Sequence, residues 1–214
     1  TRKSRLALVQ TKMVAEAIRA VCPEVVCELV PLMTKGDKIL KTSLVAFGGK
    51  GAFVEEFEQG LLNGEMDLAV HSAKDMPMDL SDGLCIGAVL KREDPRDVFV
   101  TVKGRTSERM PRIIGTGSPR RQVQIMERGD VECRLLRGNV DTRLEKLYAG
   151  EYDGIILAAA GLSRLGLLDD PRFSFEFLEP ETFIPAGGQG IIAVEAKKGS
   201  EVLKILEKLN DRES

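Results

Sequence analysis

Short apolar runs alternate along this chain with segments whose apolar positions recur every three or four residues, the signatures of buried strands and of amphipathic helices. Residues 6–20 show helical spacing with Ser4 placed as N-cap, and residues 25–32 read as a strand. A glycine loop, Gly48-Gly49-Lys50-Gly51, precedes a helix over 52–63 whose apolar face holds Phe53, Val54, Phe57, Leu61 and Leu62. Residues 67–70 form a short strand running into His71-Ser72-Ala73-Lys74-Asp75. A further strand spans 84–90, and 98–102 is expected to cross out of the first unit. A second cycle follows: strand 112–114, helix 119–128 with proline at its favoured first position, strand 132–136 and helix 141–148. The almost unbroken apolar run 154–159 predicts a strand covered on both faces, and 161–168 a short helix. The Pro- and Phe-rich stretch 171–185 reads as the return crossing, before Gly187-Gly188-Gln189-Gly190, a strand over 191–195 and a helix over 201–209.

This alternation predicts an α/β protein with mainly parallel sheets, arranged as two domains with a cleft between them. Domain 1 is expected over 1–94 plus 186–214 and domain 2 over 95–185. Parallel sheets bind ligands beyond the carboxyl ends of their strands. Asp75, the loop 116–121, the loop 137–143 and Gln189 all fall at such ends.

Composition narrows the functional classes. With 214 residues, 43% of them hydrophobic, the chain can bury a substantial core. A net charge of −2, no tryptophan and two tyrosines argue against a nucleic-acid surface, which favours a basic face interleaved with aromatics. Four cysteines without a CxxC pair, beside a single histidine, make a zinc site unexpected. Scattered thiols suit a reducing cytoplasm, and no apolar run approaches the roughly 18 residues of a membrane span, so neither a secretory leader nor a span is expected.

Two stretches concentrate the chemistry: Gly115-Thr116-Gly117-Ser118-Pro119-Arg120-Arg121 and Arg137-Gly138-Asn139-Val140-Asp141-Thr142-Arg143. Each joins a strand to a helix and combines glycine, a hydroxyl and paired arginines. Free N–H groups at a helix start, with guanidinium forks, hold carboxylates or phosphates. Arg120 and Arg121 oppose the helix dipole at that position, so their retention suggests an anionic ligand. Arg143 and Arg164 are equally readable as exposed helix-face residues, and Lys50 resembles a phosphate loop only faintly. Asp75, directly after a strand and beside Ser72 and Lys74, is the candidate general acid or base, or the stabiliser of a developing cation. A loop-capping or salt-bridged aspartate is as common at such a place. His71 reads more readily as a hydrogen-bonded structural residue. Arg92-Glu93-Asp94-Pro95-Arg96-Asp97 reads as a self-neutralising cluster at the crossing, and Ser118 lacks a second histidine to make it a nucleophile.

The ordered motifs Thr1-Arg2-Lys3-Ser4, Gly48-Gly49-Lys50-Gly51-Ala52-Phe53, His71-Ser72-Ala73-Lys74-Asp75-Met76-Pro77 and Arg92-Glu93-Asp94-Pro95-Arg96-Asp97 resemble the porphobilinogen deaminase (hydroxymethylbilane synthase) family. So do the two arginine loops, Ala160-Gly161-Leu162-Ser163-Arg164-Leu165-Gly166 and Pro185-Ala186-Gly187-Gly188-Gln189-Gly190. The resemblance implies a transferase of tetrapyrrole (porphyrin and heme) biosynthesis, with two domains like a type 2 periplasmic binding protein. It would join four porphobilinogen units into hydroxymethylbilane, releasing ammonia each time, on a dipyrromethane cofactor. It implies Asp75 as the catalytic residue, and Arg2, Arg120, Arg121, Arg137, Arg143 and Arg164 as partners of acetate and propionate groups. Ser4, Lys50, Phe53, Ser72, Lys74, Thr116, Ser118, Gly138 and Gln189 complete the implied cofactor and substrate contacts. The implied partners are porphobilinogen and linear polypyrroles, met by a cytoplasmic monomer without nucleic acid or membrane. Three departures stand out: Arg5 where the family has proline, Ala46 and Phe47 where it has a basic residue, and no cysteine with the flanks of the cofactor-attachment site. That thiol belongs to a third domain, expected to lie beyond this chain. A non-catalytic module gripping a polycarboxylate in the cleft is the alternative reading.

Overall fold

Ser4 starts the first helix by the capping chemistry its sequence position suggests: its Oγ accepts the Ala7 amide at 3.3 Å, and α1 (Arg5–Val21) follows. The computed structural model describes residues 1–32, 54–105 and 112–214. Within them the chain divides into two compact units, Thr1–Glu93 with Gly190–Ser214, and Asp94–Gln189.

In the first unit, α2 (Glu55–Asn63) carries Glu55, Glu56 and Glu58 in its first turn, where acids complement the helix dipole, and ends on Gly64 at φ 73°. Of its predicted apolar face, Val54, Phe57 and Leu61 are buried and Leu62 is half-buried, and the helix begins at Glu55. The glycine loop, Lys50 and Phe53 lie outside the described residues. Strands β1 (Leu68–Ser72), β2 (Leu84–Val89) and, from the far end of the chain, β8 (Ile192–Lys197) make a sheet in the order β1-β8-β2. Val14 and Ile18 of α1 pack with Ile192, Val194 and Ala196 and with Leu206 of the short helix α6 (Leu203–Leu206). Phe57 and Leu61 of α2 cluster with Ala69 and Leu84. Residues 25–32, expected as a strand, carry a single parallel bridge among the described residues, Arg2 to Leu32, with Leu32 donating its amide to Thr1 O at 2.7 Å. One bridge supplies no ladder within the described residues of this segment.

The second unit is built on β3 (Asp97–Val102), β4 (Ile113–Gly115), β5 (Glu132–Arg134), β6 (Gly154–Ala158) and β7 (Phe173–Leu178), in the order β5-β4-β6-β3-β7. Three helices complete it: α3 (Pro119–Met126), α4 (Val140–Tyr148) and α5 (Ala159–Arg164). Val98, Val100, Ile155 and Leu157 pack with Leu144, Leu147 and Leu162, while Ile114 and Ile156 pack with Leu178 and Phe183. Parallel pairing holds for β4 with β5 and with β6. The pairings of β3 with β6 and β7, and of β8 with β1 and β2, are antiparallel.

Two expectations for this unit are corrected. Residues 98–102 do not merely cross out of the first unit: they lie inside the sheet, bonded on both sides. The stretch 171–185 is not only a crossing, because it contains β7, whose Phe173, Phe175 and Phe177 alternate with exposed Ser174 and Glu176. That period of two was visible in the sequence and was masked by the flanking prolines.

Candidate functional site

The first unit offers its chemistry at the end of β1. A single 3-10 turn, Ala73–Asp75, is tied at both ends. Ala73 donates its amide to Ile191 O at 3.0 Å, Met76 donates back to Ala73 O at 3.1 Å, and the Met76 side chain is buried. Pro77 then prevents the helix from continuing. The result is a short, fixed platform with the Asp75 carboxylate exposed and Lys74 half-buried beside it. Among the described residues Asp75 makes no ion pair.

Behind the turn, the buried Gln10 amide of α1 donates to Ser72 Oγ at 3.0 Å, so α1 steadies the base of the platform. His71 is buried against Glu195 of β8, Nε2 to Oε2 3.0 Å, with the Phe57 ring edge-on at 5.6 Å. The structural reading of His71 is thereby supported. Its partner Glu195, with no exposed surface, was not singled out in the sequence, although an acid inside the apolar run 191–196 was the signal for it. Arg2 and Ser4 lie at the start of α1, where the Ser4 hydroxyl already accepts the cap hydrogen bond.

In the second unit the two arginine loops lie side by side. A Cβ placed on Gly117 would stand 3.0 Å from Leu136 O and 3.9 Å from Arg137 Cδ. Thr116 is buried; its amide donates to Arg134 O at 3.0 Å, and its Oγ1 accepts the Ser118 amide at 3.2 Å. Ser118 is the N-cap of α3 with no capping bond from its side chain, which leaves hydroxyl and helix N-terminus available to an anion. In the second loop Gly138 takes φ 119°, and a side chain there would press on Thr142 at 2.9 Å, so glycine is required. Asn139 caps α4, accepting the Thr142 amide at 2.8 Å. Arg143 Nε donates to Gly138 O at 2.8 Å, which folds this arginine back on its own loop rather than along an exposed helix face. Arg137 is half-buried in the same loop, while Arg164 sits apart from both loops in sequence, at the end of α5.

Arg120 and Arg121 do have an anion at the helix start, but it is internal. Asp97, the first residue of β3, has no exposed surface. Its Oδ1 accepts from Arg121 Nε at 3.0 Å and Nη2 at 2.6 Å, and its Oδ2 from Arg120 Nη2 at 2.7 Å. Gln189 Nε2 donates to the same carboxylate at 2.9 Å and to Pro95 O at 2.7 Å. Burial pushes the Asp97 carboxyl upward, but the Arg121 charge and hydrogen bonds, Gln189 and Arg120 outweigh it, so it stays below the ordinary carboxylate range. Thus Arg121 and Gln189 are both engaged by this internal carboxylate. Asp97, expected in a self-neutralising cluster at the crossing, is neutralised instead by Arg120 and Arg121. Within that cluster Asp94 and Arg96 do pair with each other, at 2.7 Å with both side chains partly exposed.

Among the described residues no group of three His, Cys, Asp or Glu side chains could hold a metal, and all four cysteines are free. No helix among them is long and apolar enough to cross a membrane.

A family model described as "Porphobilinogen deaminase, dipyromethane cofactor binding domain" matches residues 1–205. A porphobilinogen deaminase of Bacillus subtilis is 47% identical over 209 residues, covering 96% of this chain and 66% of that protein. One of Streptococcus sanguinis is 46% identical over 219 residues, covering 100% and 72%. The chain thus spans about two thirds of the length of these relatives. Among solved structures, an arginine-specific periplasmic binding protein of Salmonella typhimurium superposes with a TM-score of 0.51 at 12% identity, covering 93% of this chain and 80% of that one. Its likeness shows the fold alone.

Proposed function

The chain belongs to the porphobilinogen deaminase family, and on that premise we propose that it is the core of a transferase joining four porphobilinogen units into hydroxymethylbilane with loss of ammonia. The observation that carries this reading is the fixed turn presenting an exposed Asp75 between Lys74 and buried Met76. Loss of ammonia from porphobilinogen leaves an electron-poor azafulvene. A carboxylate beside the pyrrole nitrogen stabilises that positive charge and then takes the proton released on coupling. Asp75 has the exposure and the rigid support for both tasks.

Each pyrrole brings an acetate and a propionate, and this chain has suitable donors. Ser118 Oγ at an uncapped helix N-terminus, the partly exposed Arg120 and the neighbouring Arg137 form a donor set for carboxylates, and they fit the carboxylate-bearing dipyrromethane of the family. When bound, that group supplies the pyrrole carbon on which the chain grows. Arg2 and Arg164 are assigned to further carboxylates. Four free thiols suit a cytoplasmic site of action, and the near-neutral charge gives no support to a nucleic-acid partner.

The test is turnover of porphobilinogen by the natural full-length protein, followed as uroporphyrin after acid oxidation. The wild type should form it, and Asp75→Asn should lower the rate on the order of 1,000-fold. Equal rates in the two proteins would overturn the role of Asp75.

A further inference from the structure

We propose that His71 and Glu195 are positioning residues whose buried pair fixes the register of β1 on β8, and thereby the place of the turn that carries Asp75. The proposal rests on the reading above in which Asp75 reacts, and goes beyond it by naming what sets that carboxylate in place. His71 and Ser72 are the last residues of β1, opposed in the ladder to Ala193 and Ile192 of β8. The pairing runs on into the turn, where the Ala73 amide donates to Ile191 O. Directly opposed residues share a face of the sheet. Glu195, opposite Ala69, therefore stands diagonally across from His71, on the side where the Phe57 ring lies.

Apolar patterning does not fix this register. Leu68 and Val70 pack with Ile192, Val194 and Ala196 on one face, while Ala69 lies with Phe57 and Leu61 on the other. A slip of β1 by two residues would return every side chain to its own face. It would also carry the Asp75 turn about 7 Å along β8. Two polar contacts at the end of β1 oppose such a slip, one on each face. His71 Nε2 meets Glu195 Oε2 at 3.0 Å, and the Gln10 amide donates to Ser72 Oγ at 3.0 Å. Stability does not account for the first of them. Glu195 has no exposed surface, and its Oε1 has no hydrogen-bond partner among the described residues. A buried pair left incomplete in this way gains little over apolar side chains of similar volume, so its use lies in specifying one arrangement.

The test uses the natural full-length protein in two arms. In the first, His71→Leu/Glu195→Met should keep a thermal midpoint no lower than that of the wild type. Its kcat with porphobilinogen should nevertheless fall on the order of 10- to 100-fold, with KM within about threefold. Glu195→Gln, which keeps an oxygen facing Nε2, should hold kcat within about threefold, and Glu195→Ala should lose it as the double variant does. Wild-type kcat in the double variant, or equal kcat in Glu195→Gln and Glu195→Ala, would overturn the proposal. In the second arm, amide hydrogen exchange is followed by NMR. The Ala73 amide should exchange at least about tenfold faster in the double variant, while that of Leu90, bonded to Ile192 O on the other side of β8, should not change. Unchanged exchange at Ala73 overturns the proposal whatever the rates. Should the double variant fail to fold, Glu195→Gln and Glu195→Ala carry the same comparison in both arms. If Asp75→Asn turns over at the wild-type rate while Ala73 responds as expected, the catalytic reading fails and the register assignment stands.

Discussion

Asp75 stands exposed at the end of a tethered turn in the first unit, whereas Asp97 opens a buried strand in the second and is gripped by two arginines and a glutamine. Both follow or begin a β-strand, and both lie in charged, proline-marked stretches of sequence. The difference is what the fold does with the negative charge. At Asp75 the backbone is held and the carboxylate is left to solvent, which suits a group that must meet a transient cation. At Asp97 the carboxylate itself is held, and its charge goes into orienting other side chains. A buried ionised acid is tolerable only when paired and hydrogen-bonded, so the second arrangement needs its whole set of donors.

Substitution at each aspartate breaks the contrast most directly. Asp75→Asn should abolish most turnover yet leave the thermal midpoint within about 1 °C, since an exposed turn residue contributes little to stability. A large loss of stability would place Asp75 among the structural acids. Asp97→Ala should do the reverse first, lowering unfolding free energy by about 3–5 kcal/mol because two guanidiniums lose their buried partner; urea denaturation reads this directly.

The pH dependence sharpens the same point. The folded pKa of Asp97 lies below the unfolded value of about 3.9, so its contribution to stability is complete above about pH 4 and is lost as pH falls toward the folded value. The urea midpoint should therefore drop below pH 4 in the wild type and drop less in Asp97→Asn. Smaller effects test the scaffold under the arginine loops. Gly154→Ala would bring a methyl within 2.3 Å of the Phe99 ring. It should cost about 1–3 kcal/mol by overpacking, measured by the same urea titration. Asn139→Ala, which removes the α4 cap, should cost about 1 kcal/mol with turnover nearly unchanged.

Much of this was legible in the chain. The helix starting at Ser4, the strand before His71 and the strand-to-helix loops at Gly115 and Arg137 follow from local spacing, capping and proline placement, which act within a turn or two. Asp97 was not legible. Its partners lie more than twenty residues away in Arg120 and Arg121, and farther still in Gln189, and no local rule says which of the alternating charges between Arg92 and Asp97 will be buried. The only sequence cue was position: Asp97 opens the apolar run of β3 instead of standing clear of it. The helix dipole calls for an anion beside Arg120 and Arg121, and Asp97 is one that the local sequence does not reveal. Phe173, Phe175 and Phe177 teach the converse, since their alternation was readable and was outweighed by nearby prolines.

The centre strand of the first unit's sheet, β8, is also the last of the described strands, and β1 and β2 bond to it rather than to each other. On a ribosome, those two strands emerge early and must wait, unladdered, while the whole of Asp94–Gln189 is made. The second unit is continuous in sequence and closes its own sheet, so it is born complete before the first can be sealed. The turn that carries Asp75 is fastened through Ile191, at the doorstep of that late strand. The turn proposed to carry the reacting carboxylate is therefore fastened only after the whole second unit has been made.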